Sequence, residues 1–235
     1  MYKIEKENLE ALFRKIAESQ DLILPIKKAG QTNFGLWNEG EEADLETLKT
    51  VKSGKDAFFP QSETLYTCVR DGKKLTVEPE ELRSRPFVVF GMKACDVKGV
   101  AVLDKVFLAD PVDTYYQARR EHGIVVSMAC HRPEETCFCS TFGIDATKPE
   151  GDVVTWIAED TLYWEAQTEK GEGLTKKVEA VLAESDSKAV EAQQAAVKEI
   201  LKKLPLADLD LSYFTSHPEL EIFKREEWKE LSSHC

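Results

Sequence analysis

The sequence predicts a mixed α/β protein: a partly parallel sheet flanked by helices, with a cysteine-rich loop at the carboxyl-end edge of the parallel strands. Two observations carry this prediction. Residues 87–90 form a continuous apolar run, as expected of a strand that is buried on both faces, and "GIVVSMAC" predicts a second buried strand over 124–129. The segments between them, roughly 96–108 and 112–121, have the composition and spacing of helices. A strand–helix–helix–strand unit of this kind is most simply part of a parallel sheet.

The segments before this unit add a helix and several strands. Leu9, Leu12, Phe13 and Ile16 recur at helical spacing and predict an opening helix over about residues 5–19. The stretch "DLILPIKK" predicts a short strand interrupted by a proline, and "NFGLWNEG" predicts a strand and a turn. The stretch "ETLYTCVRDGKKLTVEPEE" predicts a hairpin around its Asp-Gly pair.

The segments after the unit alternate between strands and helices. "DVVTWIAED" and "TLYWEAQ" predict two strands around an acidic turn. Residues 172–203 are polar and rich in helix formers, which predicts a pair of surface helices broken near Ser185-Asp186. The final "HPELEIFKREEWKELSSHC" predicts a short strand and a helix.

Composition excludes several functions. The chain has 235 residues, 42% of them hydrophobic, and a formal net charge of −12, which argues against binding to nucleic acid or to an anionic membrane. No apolar run approaches the roughly 20 residues needed to span a bilayer, and the N-terminus lacks the apolar core of a signal peptide. We therefore expect a cytoplasmic protein without membrane insertion.

Four cysteines are predicted to meet at one edge of the sheet. Cys95 follows the strand at 87–90, and Cys130 ends the strand at 124–129. The carboxyl ends of parallel strands share an edge, where ligand sites usually form. Cys137 and Cys139 lie on the loop that leaves the second strand, in "MACHRPEETCFCSTFG". Cys95 also stands at a predicted helix N-terminus, which favours thiolate over thiol.

The spacing of these cysteines leaves several chemistries open. A reducing cytoplasm disfavours a disulfide knot. Four thiolates suit either a tetrahedral zinc ion or an iron–sulfur cluster. The two C-x2–4-C pairs typical of structural zinc are missing, and a cluster is large enough to be held by separate loops. Spacing thus favours an iron–sulfur cluster, while zinc and a catalytic or incidental group of thiols stay open.

Four segments also resemble a known family. "FFPQSETLY", "GMKACDVKGVAVLDKVFL", "DTYYQARRE" and "CHRPEETCFCSTFG" resemble iron–sulfur electron-transfer subunits related to the A subunit of anaerobic sulfite reductase and to the beta subunit of sulfhydrogenase-type NiFe hydrogenases. The similarity covers roughly residues 50–145 well and the flanks weakly. It implies that Cys95, Cys130, Cys137 and Cys139 bind a cluster, expected to be [4Fe–4S].

The resemblance also implies a role and a domain plan. The chain would be a non-catalytic component of an anaerobic oxidoreductase complex, passing electrons between a ferredoxin-like donor and a catalytic redox subunit. Residues 1–225 would form the iron–sulfur domain, and residues 226–235 would begin a truncated ferredoxin-like [4Fe–4S] segment. On that interpretation Cys235 does not bind the first cluster. The alternatives are a natural C-terminus and, for function, a zinc-stabilised scaffold that docks subunits.

Other residues carry weaker expectations. Cys68 is predicted to fill a core position, Asp96 to cap the helix after Cys95, and His131 to be able to donate to a sulfur. Four cations near the cysteines could offset cluster charge, although a solvated charge is the simpler interpretation of any one: Lys93, Arg119, Arg120 and Arg132. Phe138 and Phe142 could shield the site. No nucleophile–base pair, dinucleotide loop or phosphate loop is recognisable.

Overall fold

A computed structural model describes residues 1–83 and 85–234. The strands are β1 Tyr2–Glu5, β2 Asp21–Lys28, β3 Gln31–Leu36, β4 Tyr66–Asp71, β5 Lys74–Pro79, β6 Phe87–Met92, β7 Gly123–Met128, β8 Val153–Ala158, β9 Thr161–Ala166 and β10 Ala183–Glu184. The helices are α1 Leu9–Ala17, α2 Ala94–Phe107, α3 Thr114–His122, α4 Glu169–Val178, α5 Lys188–Leu201, α6 Ser212–Ser216, α7 Glu219–Phe223 and α8 Glu227–Ser232.

Eight strands form one mixed sheet in the order β10-β1-β9-β8-β7-β6-β2-β3. The central strands β2, β6, β7 and β8 are parallel, and antiparallel strands complete both sides. The predicted α/β class, with a partly parallel sheet flanked by helices, is confirmed. The β2 strand continues through Pro25, because its parallel pairing with β6 covers only Asp21–Ile23 and Pro25 pairs with Phe34 of β3.

Helices cover both faces of the sheet. On one face, α1 and α4 contribute Leu12, Phe13 and Leu174 to a core that includes Val88 and Val126. The other face carries α2 and α3, whose Val100 and Tyr116 pack with Phe87, Val89 and Val125. Further along that face, Val190 of α5 packs on Trp156 of β8. Burial on both faces explains why β6 and β7 have apolar residues on both sides of the strand.

Strand β6 contains one extra residue near its end. Phe90 pairs with Val126, but Met92 pairs with Ser127, so Gly91 is unmatched. Gly91 has a φ of 92°, a left-handed conformation that glycine adopts without the strain of a Cβ. The bulge exchanges the two faces. Phe90 packs with the α1 core, yet Met92, two residues later, packs with the α2 core.

The predicted hairpin forms, but it stands apart from the main sheet. Strands β4 and β5 pair only with each other, and every residue in both is exposed. Cys68 is therefore exposed, and its predicted core position is wrong. The alternating pattern of β4 and β5 reflects their own pairing, because no second layer covers this hairpin among the described residues.

The chain ends differ from the sequence predictions. The sequence predicts no strand at residues 2–5, yet β1 lies in the sheet between β9 and β10. The strand predicted in "HPELEIF" is wrong, since α7 occupies it and α8 follows. Cys235, expected not to bind the first cluster, lies outside the described residues. Within residues 1–83 and 85–234, no helix has the length and apolar character that crossing a membrane requires.

Candidate metal centre

The carboxyl ends of β6 and β7 bring two of the four cysteines to one edge. The strands are parallel neighbours, so Cys95 and Cys130 emerge on the same side. Cys95 lies in the first turn of α2, which begins at Ala94 directly after Lys93. Cys130 follows β7 by two residues, and its backbone N–H donates to the Ala146 carbonyl at 2.8 Å.

The loop after Cys130 returns the other two cysteines to this edge. The backbone N–H of Glu134 donates to Cys137 Sγ at 3.3 Å, which folds the loop around that thiol. A single 3-10 turn spans Cys139–Phe142 and ends at Gly143, whose φ of 64° suits glycine. The N–H of Ile144 then donates to the Cys139 carbonyl at 3.0 Å.

Two of the thiols influence each other's pKa. The Cys139 side chain is the main reason that the pKa of Cys95 falls to about 7. Partial burial and the charge of Asp96 oppose the shift, while N–H groups at the start of α2 add to it. The pKa of Cys139 is raised, chiefly by the same interaction with Cys95. Cys95 is thus the most acidic thiol with a resolved shift at this edge.

Cys130 has the opposite environment. It is buried, and burial raises its pKa to about 11 despite the nearby charge of Lys93. Its pKa also responds to the charges of Cys95 and Cys137, and that of Cys139 responds to all three other cysteines. The four thiols therefore share one electrostatic neighbourhood. Across residues 1–83 and 85–234, no three His, Cys, Asp or Glu side chains are arranged as a ligand shell around one metal ion.

The four cations expected near the cysteines differ in position and in what they contact. Arg119 and Arg120 lie at the end of α3, just before β7, and so at the opposite edge of the sheet from the cysteines. Arg119 pairs with Glu63, and Arg120 pairs with Asp104 through two bonds of 2.7 and 2.9 Å. Arg132 is exposed. Lys93 alone is buried, at 5% exposure, and its Nζ donates to Met128 Sδ at 3.2 Å. Burial lowers the pKa of Lys93, while the negative charges of Cys130 and Glu46 oppose that shift.

Two predicted roles beside the cysteines change in the structure. Asp96 does not cap α2; the N-cap position is Lys93, and the Asp96 carboxylate instead accepts from Ser53 Oγ at 2.8 Å and pairs with Lys55. His131 Nε2 lies 3.0 Å from a Glu46 carboxylate oxygen, so that nitrogen is not directed at a sulfur. The other ring nitrogen, Nδ1, is buried and has no hydrogen-bond partner among the described residues.

Aromatic side chains stand beside the loop without enclosing it. Phe138 and Phe142 are 44% and 56% exposed, and their ring centroids lie 5.8 Å apart. The shielding expected of them is therefore partial in this chain. Sequence reasoning missed Met128 and Lys49; the Lys49 Nζ contacts Glu134 at 2.7 Å, beside Cys137. No motif marks either residue, because each reaches the site only through the fold.

The donor set fits a negatively charged metal–thiolate group. Four thiolates are soft ligands of the kind that bind iron–sulfur clusters or zinc. A buried ammonium without a carboxylate partner is costly, and an anionic group at this edge would offset that cost. When bound, an iron–sulfur cluster supplies reversible one-electron chemistry, and Cys95, Cys130, Cys137 and Cys139 would hold it.

Fold and site together define a mixed α/β protein with a thiol-lined edge at the carboxyl ends of its parallel strands. The chain is similar to sulfhydrogenase 2 subunit beta of Pyrococcus furiosus, with 27% identity over 241 residues that cover 99% of this chain and 67% of that protein. No protein-family model matches the chain, and no solved structure matches it. The similarity supports a relation to hydrogenase beta subunits over the whole chain.

Proposed function

We propose that the chain is an electron-transfer subunit that relays single electrons through one [4Fe–4S] cluster held by Cys95, Cys130, Cys137 and Cys139. The observation that supports the proposal is that the four cysteines lie on two segments that follow the neighbouring parallel strands β6 and β7, namely the start of α2 and the loop after β7, beside the buried ammonium of Lys93. No residue of the chain is assigned a role in converting a substrate.

The partner follows from the same reasoning. A relay needs a donor and an acceptor, and the similar protein is named as a subunit of a sulfhydrogenase. We infer a catalytic redox subunit of the hydrogenase or sulfite-reductase kind on one side and a ferredoxin-like module on the other. The exposed thiol of Cys95 and the exposed rings of Phe138 and Phe142 leave the site accessible to such a partner.

Metal analysis of the anaerobically purified protein tests the proposal. We expect a brown protein with about four irons and four sulfides per chain and an EPR signal on reduction. The Cys95→Ser variant should lose most of the iron, because it removes a ligand that the sheet places opposite the loop cysteines. Cys68→Ser is the matched control and should keep all of it, since Cys68 is exposed on the separate hairpin.

Other outcomes would favour a different metal or a different set of cysteine ligands. One zinc per chain in a colourless protein would favour the zinc-stabilised scaffold, which uses the same four thiols without electron transfer. Wild-type iron and an unchanged EPR signal in Cys95→Ser would remove Cys95 from the ligand set. Iron loss in Cys68→Ser would mean that the wrong set of cysteines has been chosen.

A further inference from the structure

Lys93 is a buried cation whose only hydrogen-bond acceptor among the described residues is the sulfur of Met128, at 3.2 Å. The residue is 5% exposed, so water does not replace the missing partner across most of its surface. A thioether is a weak acceptor and carries no charge. Among the described residues, the other buried or half-buried cations contact a carboxylate. Arg120, for example, makes two bonds to Asp104.

The carboxylates that act on Lys93 are already engaged elsewhere. Glu46 pairs with Lys6 at 2.8 Å and lies 3.0 Å from His131, while Asp96 pairs with Lys55. Neither forms an ion pair with Lys93 within the described part of the chain. The remaining side chains near its ammonium that can become negatively charged are those of Cys130 and Cys95.

The backbone aims Lys93 at this site. The bulge at Gly91 sends Met92 to the α2 core, and the next residue, Lys93, points to the opposite face and reaches Met128 there. Lys93 is also the N-cap residue of α2, so its backbone and its side chain both bring positive potential to the thiol edge.

We propose that Lys93 is the built-in counter-charge of the thiol-bound cluster and raises its reduction potential. The inference rests on the proposed function. A buried positive charge stabilises the state with one more electron, and net charge near a cluster is one of the factors that set its potential. On reduction the oxidised cluster accepts one electron from an external reductant, no bond to Lys93 forms or breaks, and the ammonium keeps its proton.

Lys93→Met tests this inference, because methionine keeps the length and apolar stem of lysine and removes the charge. We expect the variant to retain iron and to be reduced at a more negative potential, with the equilibrium constant for reduction at least tenfold lower, about 59 mV for a one-electron couple. An EPR-monitored redox titration of the anaerobic protein measures the shift. Lys93→Arg should have a reduction potential close to that of the wild-type protein.

Lys98→Met is the matched control. It removes the same charge from the same helix, but Lys98 is exposed and its charge is screened by water, so the potential should change less than about threefold in equilibrium constant. If only the net charge of the protein mattered, the reduction potentials of both variants would shift by the same amount. An unchanged potential in a Lys93→Met variant that holds full iron would overturn the counter-charge role.

The remaining outcomes also decide the matter. If Lys93→Met folds but loses iron while Lys93→Arg keeps it, the positive charge is required for the site and the inference stands. If both variants lose iron, the site requires the shape of lysine and not its charge, and the inference fails. Absence of iron from the wild-type protein would instead contradict the proposed function itself, since the potential of Lys93 variants is read only after iron is quantified.

Discussion

Charged side chains at the two edges of the parallel strands differ in whether the described residues supply a charged partner. At the amino-terminal edge, Arg120 lies just before β7 and makes two bonds to Asp104, whose carboxylate also accepts from Tyr116 Oη at 2.6 Å. At the carboxyl-terminal edge, Lys93 contacts only a thioether, and a ring nitrogen of His131 has no partner among the described residues. Helix α2 connects the two edges, starting beside Lys93 and carrying Asp104 near its end.

The charges of Arg120 and Asp104 are paired with each other, whereas the charge of Lys93 is available to a ligand. Buried polar groups are normally satisfied within the protein, as they are around Asp104. An unsatisfied group costs free energy, and in native proteins it marks a place where the chain alone is incomplete. The Asp104 network is satisfied without a ligand, whereas Lys93 at the carboxyl-terminal edge has no charged partner among the described residues and would gain one if an anionic group bound there.

Removing Asp104 should have the largest effect on stability. Asp104→Ala leaves the Arg120 guanidinium and the Tyr116 hydroxyl without their acceptor, and we expect a loss of about 2–4 kcal/mol in the free energy of unfolding, less than for a fully buried pair because both side chains are about a quarter exposed. Urea denaturation measures it. The control Glu10→Ala breaks the exposed Glu10–Arg14 pair and should cost under about 0.5 kcal/mol. A loss below about 1 kcal/mol for Asp104→Ala would contradict a closed network.

The Asp104 contribution should also depend on pH. Burial raises the pKa of Asp104, but the bonds from Arg120 and Tyr116 outweigh it, so the pKa lies below the ordinary 3.8. A depressed carboxyl pKa stabilises the fold fully above that ordinary value and loses its effect as pH falls through the native value. The stability gap between wild type and Asp104→Asn should therefore narrow between about pH 5 and pH 2. A gap that stays constant over this interval would exclude the charge of Asp104 as its source.

Removing Lys93 should have a smaller effect, of opposite sign. In the metal-free protein, Lys93→Met removes a buried charge that has no carboxylate partner, so we expect no loss of stability, and a gain of up to about 1–2 kcal/mol. Chemical denaturation after chelation measures it, with Lys98→Met expected to stay within about 0.5 kcal/mol of wild type. A loss above about 1 kcal/mol in Lys93→Met would show that its edge is satisfied without a ligand.

The smallest effect is expected on the separate hairpin. Cys68→Ser exchanges an exposed sulfur for an oxygen, and the free energy of unfolding should change by less than about 0.5 kcal/mol. Cys130→Ser is the informative contrast, because it places a hydroxyl in a buried position and should cost about 1–3 kcal/mol. Equal effects of the two substitutions would contradict the difference in burial on which this comparison depends.

The strongest sequence signals were those that report burial on two faces. The runs at 87–90 and 124–129 predicted β6, β7 and the shared edge of Cys95 and Cys130, because a short segment with apolar residues on both faces has no face to offer to water. The sequence predicted the position of the β4–β5 hairpin but not its exposure to solvent. The alternation of apolar and polar residues indicates that the two strands pair, and it carries no information on whether another layer covers them.

The features that sequence could not predict depend on distant contacts. Met128 lies 35 residues from Lys93, and Glu46 lies 85 residues from His131, so neither pairing leaves a local pattern. Strand β1 was missed because its four residues gain their partners from β9 and β10, which are distant from it in sequence. The role of Asp96 was misjudged for a similar reason: Ser53 and Lys55 compete for it more effectively than the helix N-terminus does.

The unmatched Gly91 determines which side of the sheet each of the residues after it occupies. A pleated strand assigns its residues to two sides by odd and even count, so one added residue exchanges the sides of everything that follows. Deleting Gly91 would therefore leave Met92 paired with Ser127 on the α2 side and Lys93 on the opposite side, because Gly91 takes no place in the ladder. A substitution that drew residue 91 into the ladder would instead move Met92 and Lys93 each to the other side, and would turn the ammonium toward the aromatic rings packed beneath α2.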